Sequence, residues 1–182
     1  MKWLIASDIH GSAYYCRMLL DAFEREGAER LLLLGDLLYH GPRNDLPRDY
    51  APREVAAMLN AHADSILAVR GNCDAEIDQV VLDFPIMADY ALLWEGGRLV
   101  FVTHGHLYHL DCLPPLHAGD VLLHGHTHVP ACMTGDKGVV YLNPGSAAIP
   151  KGGSACSYMT LEDGLWRWIE LESGEEYRRR EG

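Results

Sequence analysis

The sequence predicts an α/β protein with two facing β-sheets and helices on the outside. In the first half of the 182-residue chain, apolar runs alternate with segments of helical periodicity, a pattern typical of a parallel sheet. In the second half, apolar runs flank Gly-rich turns, as expected for hairpins. In addition, five short polar clusters each follow an apolar run, at the point where a buried strand would surface.

The first half is predicted to contain three buried strands and two helices. The strands are residues 2–7, 31–34 and 66–69. Ser12 can cap a helix that continues to about residue 26 and stops at Gly27. Pro52 suits the first turn of a second helix, which is predicted to extend to about residue 64. This alternation implies a parallel sheet.

The second half is predicted to consist mainly of strands and hairpins. The strands are residues 92–94, 99–103, 121–123, 139–142, 157–161 and 165–171. Gly96-Gly97 and Glu162-Asp163-Gly164 are the turn signals. Residues 172–182 are charged, and we expect them to form a frayed tail of a single domain spanning residues 1–182.

Composition excludes two classes of protein. No apolar run approaches the ~20 residues of a membrane span, and the first residues lack the pattern of a signal peptide. The net charge of −11 argues against non-specific nucleic-acid binding, which depends on Lys and Arg. The five cysteines are scattered and odd in number, so we expect no disulfide framework and a cytoplasmic location.

The polar clusters contain the side chains that bind metal ions. The clusters are residues 8–10, 35–36, 71–74, 103–106 and 124–128. They supply carboxylates, an amide and imidazoles, the donors that borderline divalent metals prefer. One such cluster is weak evidence, because a single His is more often structural. Since parallel strands place binding residues beyond their carboxyl ends, we expect several clusters to meet at one sheet edge.

The order of these clusters resembles the signature of the calcineurin-like metallophosphoesterases, and in particular of their small bacterial phosphodiesterases. That signature is Asp-x-His, Gly-Asp, Gly-Asn, His and Gly-His-x-His, and it runs here from Asp8 to His128. Residues 39–44, 143–146 and 150–153 extend the similarity. The resemblance implies a four-layer αββα sandwich of two mixed β-sheets flanked by helices.

The resemblance also implies a dinuclear metal centre. The ligands implied for the first ion are Asp8, His10, Asp36 and His128. The ligands implied for the second ion are Asp36, Asn72, His104 and His126. The family's metal is manganese, although these nitrogen and oxygen donors also suit Zn, Fe, Ni or Co. Asp36 would bridge the ions, and Asn72 and His104 would complete the catalytic set.

Such a centre is suited to hydrolysing phosphate esters, and the resemblance implies small phosphodiesters, with monoesters left as the alternative. Two divalent ions outweigh two carboxylates and one hydroxide by a single positive charge, so the centre still attracts a phosphate. Metal coordination brings the pKa of bound water to about 7, so a bridging hydroxide can attack phosphorus near neutral pH. The physiological substrate and the oligomeric state, including a homo-oligomer, stay open.

One position departs from the family pattern. Many relatives carry His after the Gly-Asn pair, where it can protonate the leaving group, whereas this chain has Cys73. We favour the interpretation that Cys73 is simply a small buried residue. The thiol is a poor proton donor to an alkoxide, so we expect weak turnover of poor leaving groups.

Four further residues near the motifs are candidates with competing interpretations. Arg43 and His40 follow Asp36 and are predicted to contact the substrate phosphate, although an exposed loop Arg is often only solvated. His106 is predicted to orient a metal ligand. Asp74 is predicted either to support the ligands or to cap a helix.

Two other hydrolase classes and one non-enzymatic class compete with this interpretation. A metallo-β-lactamase-like site needs Asp where this chain has Tyr108, and the Gly-Asn-His-Glu segment of protein phosphatases is absent. The fold also resembles the retromer subunit vacuolar protein sorting 29, a protein-interaction scaffold. Since no expected metal ligand is missing here, we favour the enzyme.

Overall fold

The computed structural model of the chain describes residues 1–182 and contains three α-helices and eleven strands. The helices are α1 (Ala13–Arg25), α2 (Pro52–Asn60) and α3 (Glu76–Val81). The strands are β1 (Trp3–Ala6), β2 (Arg30–Leu33), β3 (Ile66–Ala68), β4 (Tyr90–Glu95), β5 (Arg98–Thr103), β6 (Val121–Leu123), β7 (Ala131–Thr134), β8 (Val140–Asn143), β9 (Ser157–Glu162), β10 (Leu165–Glu170) and β11 (Glu176–Glu181).

The strands form two mixed sheets. The six-stranded sheet has the order β11-β10-β9-β1-β2-β3, and the five-stranded sheet has the order β4-β5-β6-β8-β7. β1, β2 and β3 pair in parallel, and so do β5, β6 and β8. In each sheet the parallel strands therefore end at one common edge, and the polar clusters follow those ends.

The two sheets pack face to face through an apolar layer. Ile5 and Leu32 of the six-stranded sheet belong to the same buried cluster as Val102, Leu123 and Leu142 of the five-stranded sheet. α1 and α2 pack on the opposite face of the six-stranded sheet. The predicted α/β fold with two facing mixed sheets is confirmed. The outer face of the five-stranded sheet is covered by an irregular segment that contributes Tyr108 and Leu110.

Local sequence signals account for the helix boundaries. The Ser12 hydroxyl accepts a hydrogen bond from the backbone N–H of Tyr15, and Gly27 adopts a left-handed φ of 61° just after α1. α2 starts at Pro52 as predicted but ends at Asn60 rather than near residue 64. The Asn60 amide donates to the carbonyl of Val81, and a short 3-10 turn at Ala63–Ser65 leads into β3.

The prediction of a frayed tail is wrong for most of residues 172–182. β11 pairs antiparallel with β10 and forms one edge of the six-stranded sheet. Most of its side chains are charged and exposed to solvent, while its backbone pairs with β10. A charged edge strand of this kind also resists pairing with another sheet. None of the helices has the length and apolar character that a membrane span requires.

Candidate metal centre

The candidate ligands lie in tight loops directly after the strands. Several of them have a left-handed backbone, which non-glycine residues rarely adopt. The residues are Asp8 (φ 59°), His10 (50°), Asp36 (55°), His126 (63°) and His128 (60°). This conformation turns the chain sharply at the strand end. The loops therefore direct their side chains toward one point above the two sheets.

The first group of donors surrounds Asp8. The Nε2 atoms of His10 and His128 lie 3.5 and 3.2 Å from Asp8 Oδ1, and 3.3 Å from each other. All three side chains are buried. Asp8 Oδ1 has no hydrogen-bond partner, although it is itself buried. A carboxylate oxygen left in this position needs a cation.

The second group of donors surrounds His104. Its Nε2 atom lies 3.0 Å from Asn72 Oδ1, 3.1 Å from His126 Nδ1 and 3.5 Å from Asp36 Oδ2. Asp36 Oδ2 also lies 3.7 Å from His10 Nε2. One carboxylate oxygen of Asp36 therefore stands between the two groups.

Backbone carbonyls hold three of the imidazole rings. The Nδ1 atoms of His10, His104 and His128 lie 2.7, 2.7 and 2.6 Å from carbonyl oxygens. The accepting carbonyls belong to Tyr39, Leu34 and Ile149. Because a carbonyl only accepts, each Nδ1 carries the proton and donates it. When these rings are neutral, as metal binding requires, each Nε2 has a lone pair directed at the centre of the site.

The electrostatics of the site fit bound cations. Burial alone would raise the pKa of Asp8, but the adjacent imidazoles of His10 and His128 outweigh it and hold the pKa well below its usual range. Burial and the neighbouring His104 lower the pKa of His126 to about 4. For His104 itself, burial is outweighed by the carboxylates of Asp36 and Asp8, which raise its pKa to about 9. These converging carboxylates and lone pairs suit two divalent ions.

A polar cavity of about 430 Å³ opens in front of the site. Asp36, Asn72, His126 and His128 line it from the side of the candidate ligands. Two cations, Arg43 and Lys151, line it as well. The cavity therefore has room for a phosphate group and provides positive charge for it, although the chain as a whole is acidic.

Residues 1–163 match the model of the calcineurin-like phosphoesterase superfamily domain. The chain is a member of this superfamily. It is 46% identical over 171 residues to the phosphodiesterase YfcE of Escherichia coli strain K12, covering 94% of this chain and 92% of the relative.

Two solved structures extend the comparison. The structure of YfcE, a phosphoesterase from E. coli, has a TM-score of 0.95 at 43% identity and covers 100% of this chain and 99% of that one. Vps29 of Entamoeba histolytica, complexed with zinc, has a TM-score of 0.62 at 21% identity and covers 100% and 99% of the two chains. The likeness to Vps29 shows a shared fold alone.

In this phosphoesterase, Asp74 ties two of the ligand loops together. Its carboxylate accepts hydrogen bonds from the backbone N–H groups of Asp36 (2.8 Å), Leu37 (2.9 Å) and Gly71 (2.7 Å). The alternative prediction that Asp74 caps a helix is wrong, because α3 begins later and Asp78 accepts from the backbone N–H of Ala75 at its start. The sequence offered no signal for the three-fold contact.

Gly71 and Gly35 allow these loops to touch. A Cβ atom on Gly71 would overlap the backbone nitrogen and side chain of Asp36, and one on Gly35 would overlap the backbone of Gly71. Gly35 also has a φ of 95°. Glycine is therefore required at both positions for Asp36 to reach the site.

The other predicted residues differ in how close they come to the site. The backbone N–H of Cys73 donates to Asp36 Oδ1 (2.8 Å), and its Sγ lies within 4.8 Å of donor atoms of His10 and Asp36. The prediction that His40 contacts substrate is not supported, because its ring packs between Tyr39 and Tyr50 and does not line the cavity.

His106 lies beside the ligands but does not orient them by hydrogen bonds. Its ring centroid is 5.4 Å from that of His104 and 6.4 Å from that of His126. Its Nδ1 atom is buried without a hydrogen-bond partner. The acceptors that do orient ligand rings are the carbonyls of Leu34, Tyr39 and Ile149.

Proposed function

We propose that the protein is a metal-dependent phosphodiesterase that hydrolyses small phosphodiesters. One observation carries the proposal: Asp36 Oδ2 lies within 3.7 Å of His10 Nε2 and within 3.5 Å of His104 Nε2. A single carboxylate therefore joins two groups of donors, as a dinuclear centre requires. Membership in the phosphoesterase superfamily and the similarity to a relative named a phosphodiesterase support the same function.

The donors divide into two sets that share Asp36. Asp8, His10, Asp36 and His128 would hold one ion. Asp36, Asn72, His104 and His126 would hold the other. Manganese is the metal that we propose, and the same nitrogen and oxygen donors accommodate Zn, Fe, Ni or Co.

When bound, two divalent ions polarise the phosphate and lower the pKa of water toward about 7. The protein's own groups prepare the site for that chemistry. The carbonyls that accept from Nδ1 keep the imidazoles in the tautomer that presents Nε2. Asp74 fixes the loops that carry Asp36 and Asn72, so these donors stay in place during turnover.

Substrate binding depends on the polar cavity. Asn72 lines it and is exposed; its amide donates to Cys73 Sγ and has a second N–H for a phosphate oxygen, while its carbonyl oxygen faces His104. Arg43 and Lys151 line the cavity and supply positive charge. The net charge of −11 disfavours polyanions, so a small phosphoester is the proposed substrate.

Two features bear on where and in what form the protein acts. All five cysteines are free, which supports a reducing, cytoplasmic location. The candidate ligands follow strands of both sheets, so we propose that residues 1–182 act as one functional domain.

The experiment is hydrolysis of bis(4-nitrophenyl) phosphate by chelator-treated protein, with and without added Mn²⁺. We expect Mn²⁺ to restore hydrolysis, and Asp36→Asn to lower kcat by about 100-fold or more, since it weakens both metal sites at once. Asp45→Asn, an exposed carboxylate in the loop after Asp36, is the matched control and should retain activity. Full metal loading without hydrolysis of any phosphoester would instead favour a scaffold.

A further inference from the structure

An apolar groove of about 620 Å³ adjoins the polar cavity. It lies between α2 and α3, and nine of the 13 residues that line it are hydrophobic. Its volume falls within the range of pockets that bind small molecules. Nothing in the proposed metal chemistry uses this groove.

The groove meets the polar cavity at Cys73, which lines both. Cys73 Sγ lies within 4.8 Å of donor atoms of His10 and Asp36, so the groove begins next to the candidate metal ligands. Tyr39 provides a second connection. Its carbonyl oxygen accepts from His10 Nδ1, while the same residue also lines the groove. A molecule whose phosphate lies at the metal centre can therefore extend one substituent into the groove.

The surface of the groove favours an apolar occupant. Ile77, Val81 and Tyr39 line it and are 68%, 48% and 42% exposed, so water contacts apolar surface that a ligand would cover. Asn60 and Asp78 at its wall are already engaged, Asp78 by the backbone N–H of Ala75, whereas Arg53 is an exposed cation without a partner in the protein. The Asn60 amide donates to the carbonyl of Val81, and its oxygen accepts from the backbone N–H of Asp83.

The lining further favours a flat ring over an alkyl chain. Tyr39 and Tyr50 both line the groove, and aromatic rings pack well against one another. Asn60 is satisfied within the protein, whereas the guanidinium of Arg53 can stack on the face of a ring. The groove therefore suits aromatic substituents in general.

We propose that the groove between α2 and α3 binds an aromatic ester substituent of the phosphodiester substrate. The inference rests on the proposed phosphodiesterase function and specifies its substrate class. The aromatic ring can belong to a nucleobase or to a simple aryl group, which share the same flat apolar surface. The groove selects for the ring, while the metal centre binds the phosphate that both classes carry.

The test compares inhibition by phenylphosphonate and methylphosphonate, which share a charged head group and differ in the ring. Their inhibition constants are measured against Mn²⁺-dependent hydrolysis of a chromogenic diester. We expect phenylphosphonate to bind about tenfold more tightly, as partial burial of a ring in an open groove implies. Val81→Ser and Ile77→Ser should each reduce this preference about threefold and leave methylphosphonate binding unchanged.

Val80→Ser is the matched control. Val80 neighbours Val81 on α3 and is 76% exposed, but it does not line the groove. This variant should keep the phenyl preference, and equal melting temperatures of all variants would show that folding is intact. A second comparison separates the two sources of the ring. The uridine and phenyl esters of 4-nitrophenyl phosphate are each compared with its methyl ester, which carries the same 4-nitrophenyl group. Faster hydrolysis of both than of the methyl ester supports a general aromatic site, and faster hydrolysis of one alone identifies the source.

Three results would overturn the inference. Equal binding of the two phosphonates to the wild-type protein would show that the groove does not contribute. If Val80→Ser and Val81→Ser reduced the preference for phenylphosphonate equally, that preference would not come from the groove. A dimer that Val81→Ser dissociates without changing the phenyl preference would identify a second copy of the chain as the occupant. In each case hydrolysis of the reporter diester continues, so the proposed function is tested separately.

Discussion

Replacing His126 by glycine should leave the metal-free protein more stable than replacing it by alanine. His126 has a φ of 63°, and a Cβ atom in this left-handed conformation costs roughly 1–2 kcal/mol. Glycine removes that cost but loses roughly 0.5–1 kcal/mol through its greater freedom in the unfolded chain. Because both substitutions remove the imidazole, its contacts cancel, and glycine should be favoured by about 0.5–1 kcal/mol.

The assay is urea unfolding in the presence of a chelator, so that bound metal does not contribute. With a slope of about 2 kcal/mol/M, the expected difference moves the midpoint by roughly 0.3–0.5 M. Ala57→Gly in the exposed part of α2 is the control with ordinary backbone geometry. At this position glycine should be less stable than alanine, by about 1 kcal/mol, which is the opposite order to that expected at position 126.

The reasoning would be refuted if His126→Ala proved as stable as His126→Gly or more so. The expected result would show that the ligand loops store backbone strain in the absence of metal. Several candidate ligands share this conformation, so the packing of the folded chain must offset their combined cost when no metal is bound. Bound ions would add to the energy that holds the loops in this geometry.

Four further predictions follow from the site. Asp74→Asn leaves a single oxygen to accept from three buried backbone N–H groups, and should lower the free energy of unfolding in urea by about 2–3 kcal/mol; a loss below about 0.5 kcal/mol would contradict this role. Adding Mn²⁺ at 100 times its dissociation constant should stabilise the metal-free protein by about 2.7 kcal/mol for each site that is filled, seen as a higher melting temperature, and an unchanged melting temperature would argue against metal binding. The pKa of His104 is raised to about 9 in the folded metal-free protein, so protonated His104 stabilises the fold below the pKa that it has in the unfolded chain, and this contribution is lost as pH rises through about 9. The urea midpoint in chelator should therefore fall between these two pKa values, and His104→Gln should flatten this pH dependence. Burial, with a contribution from Asp36, raises the pKa of the Cys73 thiol to about 12, so alkyl diesters should be hydrolysed more slowly than aryl diesters, and Cys73→His should narrow the gap; equal wild-type rates for the two would discard this hypothesis.

The central strands could be predicted because their signals are local. β6 (Val121–Leu123) matches the prediction residue for residue, and α1 begins and ends at the residues that its cap and glycine indicate. α3 was missed because it has six residues, too few for a helical period to show. β7 and β11 lie at sheet edges, where partly exposed side chains give no clear alternation of apolar and polar residues.

The donor types of the site could also be predicted, because side chains that follow parallel strands converge. The contacts that position the donors could not. Leu34, Tyr39 and Ile149 act through carbonyl oxygens, which every residue has, so no residue type marks them. His40 and His106 illustrate the opposite error, since their side chains suit a role in the site. The His40 ring packs against Tyr39 and Tyr50, and the His106 ring lies beside His104 and His126 without a hydrogen bond to either.

The metal ligands proposed for this chain come from both sheets. Asp8 and Asp36 follow strands of the six-stranded sheet, whereas His104 and His126 follow strands of the five-stranded sheet. The distance between these two halves is therefore set by the thickness of the apolar layer that separates the sheets. Interiors are close-packed and transmit changes of volume, so we expect trimming of a side chain in this layer, such as Val102 two residues before His104, to shift the preference of the site between ions of different size.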